Sequence, residues 1–183
     1  MVIGEPYKMA FILERMNIWE QPGDTFRNGI MFLCVNGEIY PKDVRTTTLG
    51  CELPWLLAPD SPFMNTVIDK ELFDMPSDEL LAYLESITYP EDIDDDADDD
   101  IEIDNDYRFV LPFEEISDRG FDVFMLSDGE NVRVLVGQDI NRRLSPNGFI
   151  INDGCELASE TTITLTELES IRSQLTEFYE SLK

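Results

Sequence analysis

Residues Gly29–Leu49 read GIMFLCVNGEIYPKDVRTTTL. Ile30–Val35 is an unbroken apolar run with no charge inside it, Asn36-Gly37 follows, and Glu38-Ile39-Tyr40 resumes an extended pattern. Asn-Gly between two such runs predicts a β-hairpin, because a type I′ turn needs φ > 0 at both central residues. Pro41 has no backbone N–H, so it ends the second arm or sets it at a sheet edge. Val44 and Thr46–Leu49 extend the β-type composition. The stretch is therefore expected at the centre of an antiparallel sheet.

Upstream, Met9–Leu13 is continuously apolar and short enough for a buried strand. Gln21-Pro22-Gly23-Asp24 is a turn cluster, and the flanking Trp19 and Phe26 are expected to close over the core edge. Downstream, Pro54, Pro59, Pro62 and Pro76 break up 51–77, leaving room for a helical turn at Trp55-Leu56-Leu57. Ser77 reads as an N-cap. Leu80, Tyr83, Leu84 and Ile87 then recur at helical spacing, predicting a helix over Asp78–Ile87.

The second half begins with a strand pattern at Tyr107–Phe113. Asp128-Gly129 joins Phe121–Leu126 to Val132–Val136 as a second hairpin, with one apolar face made by Val132, Val134 and Val136. Thr161–Leu165 reads as a last strand. Thr166 with Glu169 forms a capping box for a helix over Glu167–Leu182, whose stripe is Leu168, Ile171, Leu175, Phe178 and Leu182. The fold class expected is α+β. It is one domain over residues 1–183, mainly antiparallel sheet with two packed helices and an acidic loop at 91–106.

That loop is the anomaly of the sequence. In Glu91–Asp106 (EDIDDDADDDIEIDND) eleven of sixteen residues are acidic. Like-charge repulsion and poor propensity make it a solvated loop. The 183-residue chain carries 39 acids against 13 bases, a formal net charge of −26. Such a balance argues against binding nucleic acid or an anionic membrane surface, both of which need a basic patch. It suits solubility and a basic partner. The candidate partner-binding residues are Asp94, Asp95, Asp96, Asp98, Asp99, Asp100 and Glu102. A calcium loop of the EF-hand type needs a glycine that this run lacks.

Other chemistry is narrowed by composition. With no histidine, Ser-His-Asp and Cys-His nucleophilic sites and HExxH metal sites are excluded. No GxGxxG or GxxxxGK[ST] loop occurs. Carboxylates abound, but no spacing sets two of them across a cleft as a glycosidase requires. We expect no enzyme, no cofactor and no dedicated metal site. Cys34, Cys51 and Cys155 are odd in number and lack CxxC spacing, so reduced thiols are expected. The N-terminus MVIGEPYKMA shows no signal-peptide pattern and no run reaches bilayer length, so a cytoplasmic location is expected.

IGEPYK at Ile3–Lys8, FRNGIMFLCVNGEIYP at Phe26–Pro41 and DVRTTTL at Asp43–Leu49, with TYPED at Thr88–Asp92 and NDYRF at Asn105–Phe109, carry a resemblance. The sequence resembles the Imm42 family of bacterial immunity proteins, well over its first third and loosely beyond. The acid block at Asp94–Asp100 is richer than the family pattern. The resemblance implies a cytosolic protein whose partner is a cognate toxin of a polymorphic toxin system, neutralised by stoichiometric binding. The alternative from another class is an acidic nucleic-acid mimic that occupies a basic nucleic-acid-binding protein.

Overall fold

A computed structural model describes residues 1–20, 23, 26–90, 105–141, 143–144, 150–151 and 153–183. Strand β3 (Asn28–Val35) lies at the centre of a five-stranded antiparallel sheet. On one side it pairs along its length with β2 (Met9–Arg15), which pairs in turn with β1 (Val2–Gly4). On the other side it pairs with β4 (Glu38–Tyr40) and β5 (Thr47–Thr48). Asn36 and Gly37 have φ of 52° and 84°, the two positive values that the Asn-Gly signal required. β4 stops at Tyr40, before Pro41, and forms a sheet edge.

A second sheet runs β10-β7-β6, from β6 (Phe121–Ser127), β7 (Asn131–Asp139) and β10 (Cys155–Thr164). β8 (Arg143–Leu144) and β9 (Ile150–Ile151) pair separately. β6 and β7 are buried on both faces, where one apolar face was expected. Val132, Val134 and Val136 enter a first core with Phe11, Leu33 and Tyr40 of the five-stranded sheet. Leu135, Phe124 and Leu126 enter a second core with Leu80, Leu81 and Leu84. Within the first core Phe11 packs against Phe63 and Phe113, at ring separations of 5.8 and 6.0 Å. Tyr40 meets Phe121 at 5.1 Å and donates its hydroxyl to Ser159 Oγ at 2.9 Å.

More helices form than the two expected. α1 (Leu49–Leu56) runs through Pro54, beginning at a leucine assigned above to extended chain. α2 (Lys70–Phe73) and α4 (Glu114–Ser117) are single turns. α3 (Ser77–Thr88) matches its prediction, but buries Leu80, Leu81 and Leu84 and leaves Tyr83 exposed. Ser77 is not the cap: its hydroxyl accepts from Arg133 and donates to Glu160. Tyr107–Phe113 is not a strand either. Pro112 removes a ladder donor, and the segment instead lends isolated bonds to the edge of β6, such as Leu111 N–H to Val123 O at 2.7 Å. Trp19 and Phe26 are exposed rather than closed over the core. Among the described residues no helix is long and apolar enough to cross a membrane.

α5 (Leu165–Leu182) starts two residues earlier than its sequence cue. The box is Thr164 with Glu167, not Thr166 with Glu169. The β10 ladder ends at Thr164, opposite Asn131, the first residue of β7. Beyond that residue no strand partner remains, so the earlier of two overlapping T-x-x-E motifs is used. Lys8 then reaches Glu167 at 2.5 Å and, with the Thr164 N–H, holds its carboxyl down at about 2.

Leu175 is fully buried in the first core, whereas Phe178 is only partly buried against it. Leu175→Ala should cost about 2–5 kcal/mol in chemical denaturation and Phe178→Ala less, because less of its ring leaves water. A loss below ~0.5 kcal/mol for Leu175→Ala would mean that α5 does not anchor this core.

Candidate functional site

The seven candidate acids, Asp94, Asp95, Asp96, Asp98, Asp99, Asp100 and Glu102, lie outside the described residues. The structure does describe the stem from which their segment departs and to which it returns. Tyr89 N–H closes α3 onto Glu85 O at 2.8 Å. Asp106 N–H donates to Ile87 O at 2.8 Å, and Thr88 Oγ1 donates to Asp106 O at 3.2 Å. The Tyr89 and Tyr107 rings meet edge to face at 6.3 Å, and Tyr89 donates its hydroxyl to Asp122 at 3.0 Å. The run of acids is thus tied at both ends to the C-terminus of α3.

Arg108 grips Asp106 with two prongs, Nε to Oδ1 at 2.9 Å and Nη2 to Oδ2 at 2.6 Å. That pair holds the Asp106 carboxyl below the usual range. An open cleft lies alongside, lined by Asp60, Pro62, Asn105, Asp106, Tyr107 and Arg108. Tyr83, Tyr89 and Tyr107 all expose part of their rings. Tyrosine and arginine are the residues that anchor protein interfaces, since each offers large area and a polar tip at low entropic cost. Sequence reasoning placed Tyr83 in the helix stripe and so missed it; Leu81, four residues before Glu85, takes its place in the core.

Beneath the stem sits a nest of acids. Glu85 has a buried Oε1 with no hydrogen-bond partner. Burial, and then the charge of Asp122, push its carboxyl up to about 7. Cys155 lies close by: a Cβ added to Gly137 would stand 2.5 Å from its Sγ and 3.4 Å from Glu85 Oε1, so a side chain there would have to displace the thiol. Burial and the Glu85 carboxylate push this thiol far above its ordinary value, which keeps it protonated and poorly nucleophilic. Glu52 of α1 repeats the pattern elsewhere. It accepts the N–H groups of Glu115 and Glu114, yet burial raises it to about 7 and its Oε2 lacks a partner. The three cysteines form no disulfide: Cys34 is buried, Cys51 exposed and Cys155 between. Among the described residues, no group of three His, Cys, Asp or Glu side chains is placed to hold a metal ion. What this arrangement can do is present charge and aromatic area to a partner.

The family model of Immunity protein 42 matches residues 1–178. A crystal structure of CdiI from Burkholderia dolosa AUO158 has a similar fold, at a TM-score of 0.67 and 22% identity, with 97% of this chain and 99% of that chain covered. No curated protein matches the sequence.

The two raised carboxyls make stability depend on pH. Unfolded, each titrates near the ordinary glutamate value; folded, each titrates at about 7. Between about pH 5 and 8 the folded chain therefore holds protons that the unfolded chain has lost, and stability falls as pH rises. Glu52→Gln and Glu85→Gln should each raise the melting temperature at pH 8 and flatten its pH dependence. Melting curves across that window check this, and a wild-type melting temperature that climbs with pH would contradict it.

Proposed function

The chain belongs to the Immunity protein 42 family, and on that premise we propose that it neutralises a cognate bacterial toxin by binding it one to one. The observation that carries this reading is the family match over residues 1–178. Composition supports it: a chain without histidine lacks the commonest general base, so inhibition by occupancy is the simpler route. On this reading the protein acts in the cytoplasm, where the toxin would otherwise find its target.

The charge supplies a role for the acidic run. A partner with a basic surface is drawn by a chain of net charge −26, to which Asp94, Asp95, Asp96, Asp98, Asp99, Asp100 and Glu102 contribute a block that is dense in sequence. Steering of this kind raises association rates and fixes orientation more than it raises affinity. The rim of tyrosines and Arg108 supplies contacts that outlast the encounter.

The direct test titrates this protein into its cognate toxin domain. Activity should fall linearly and vanish at one equivalent; loss of activity at a small fraction of an equivalent would contradict binding and point to catalysis. Equal binding to unrelated basic nucleic-acid-binding proteins would favour the mimic instead. Replacing the six aspartates from Asp94 to Asp100 by Asn should leave folding intact and slow association by about tenfold or more at low salt. The two proteins should converge at high salt, because screening acts over about 10 Å at 0.1 M. Stopped-flow association at several salt concentrations checks this, and identical, salt-insensitive rates would remove the acids from the interface.

A further inference from the structure

Strands β2, β3, β6 and β7 carry near-continuous apolar runs. Such a run marks a strand covered on both faces, since a strand with one wet face alternates apolar and polar residues. For β6 and β7 the chain supplies both covers, the first core on one side and the second on the other. For β3 it supplies one in full and the other only in part. Met31, Leu33 and Val35 turn inward to the first core; on the outer face Cys34 is buried against its partner Ala10, while Ile30 and Phe32 stay partly exposed.

Neighbouring strands extend that exposed area. Ile12 lies directly opposite Phe32 in the register. Ile39, on the edge strand β4, is 43% exposed, and Val44 is 77% exposed. Ile12, Phe32, Ile39, Pro41 and Val44 line one open groove of about 490 Å³. Tyr7, 79% exposed, stands at its end beside Gly37. A contiguous apolar patch of this kind on a sheet face is a place for a partner, unlike single exposed apolar residues scattered elsewhere.

Charge selects the occupant. Acids outnumber bases 39 to 13 in the chain, yet on this rim Glu38 pairs with Lys42 at 2.7 Å and Asp43 with Arg119 at 2.7 Å. Acids matched by cations around an apolar centre suit a surface that loses its water on contact. A second copy would bring its own −26 against this one, whereas a basic partner is drawn in. We propose that the outer face of the five-stranded sheet, centred on Phe32, Ile39 and Val44, docks an apolar knob on the basic toxin domain. This rests on the neutralisation reading above and names the surface that holds the complex together.

Ile39→Lys and Val44→Lys test it, measured by titration calorimetry against an inactive form of the cognate toxin domain. Each should weaken the dissociation constant by about thirtyfold or more, the size of a buried interface anchor. Ile18→Lys and Ile68→Lys, at isolated residues exposed to 83% and 68%, should leave it within about threefold. Val44 lies outside the strands, so it carries the test alone if Ile39→Lys disturbs β4. Unchanged affinity in Val44→Lys with tight wild-type binding would overturn the docking face and leave neutralisation standing. Absence of wild-type binding would overturn both. A wild-type dimer in sedimentation that Val44→Lys dissociates would assign the face to a second copy and overturn the toxin as its occupant.

Discussion

One guanidinium holds the second half of the structure together. Arg133 sits on the face of β7 turned towards α3, almost wholly buried. It pairs with Glu160 of β10, donates to the carbonyls of Phe73 and Met75 at 2.7 Å each, and donates to Ser77 Oγ at 2.9 Å. A buried charge is tolerated only when its partners replace the lost water. Here those partners are the end of α2, the start of α3 and the neighbouring strand, so satisfying the charge fixes the helix on the sheet. The leucines of α3 then seal the second core. The far end of the same helix becomes the stem at Thr88 and Tyr89, to which Asp106 returns.

This also shows which parts of the fold were legible in sequence. Asn36-Gly37 and Asp128-Gly129 encode their turns locally, so both hairpins could be read directly. The α5 stripe could be read because its spacing leaves one face to bury. The errors share a cause, namely that a tertiary partner outweighed a local signal. Ser77 looks like a cap but serves Arg133. Thr166 heads a capping box as good as that of Thr164, and only the length of the β7 ladder decides between them. Arg133 lies off the apolar face that Val132, Val134 and Val136 announce, and nothing local announces the four groups that bury it. Tyr83 fitted the helical stripe, and Leu81 displaced it once the second core existed.

The candidate site was legible as charge and illegible as shape. Eleven acids in sixteen residues announce a field, and a field is set by composition. The tyrosine stem depends on residues 89 and 107 meeting through the fold, and the exposed sheet face depends on which strands the chain leaves uncovered. The apolar run at Ile30–Val35 asks for two covers and receives the second from its own chain only in part. On the proposed reading the two surfaces divide the work of binding between them. Charge governs how fast partners meet, while desolvated apolar area governs how long they stay.

The central claim is that this chain neutralises by occupying its partner through defined surfaces. Hydrogen exchange of the protein alone, and with one equivalent of the cognate toxin domain, measures this most directly. The account predicts slower exchange in residues 36–44 and 105–108 of the bound chain, with α5 unchanged. No change at one equivalent, or slowing confined to α5, would contradict it.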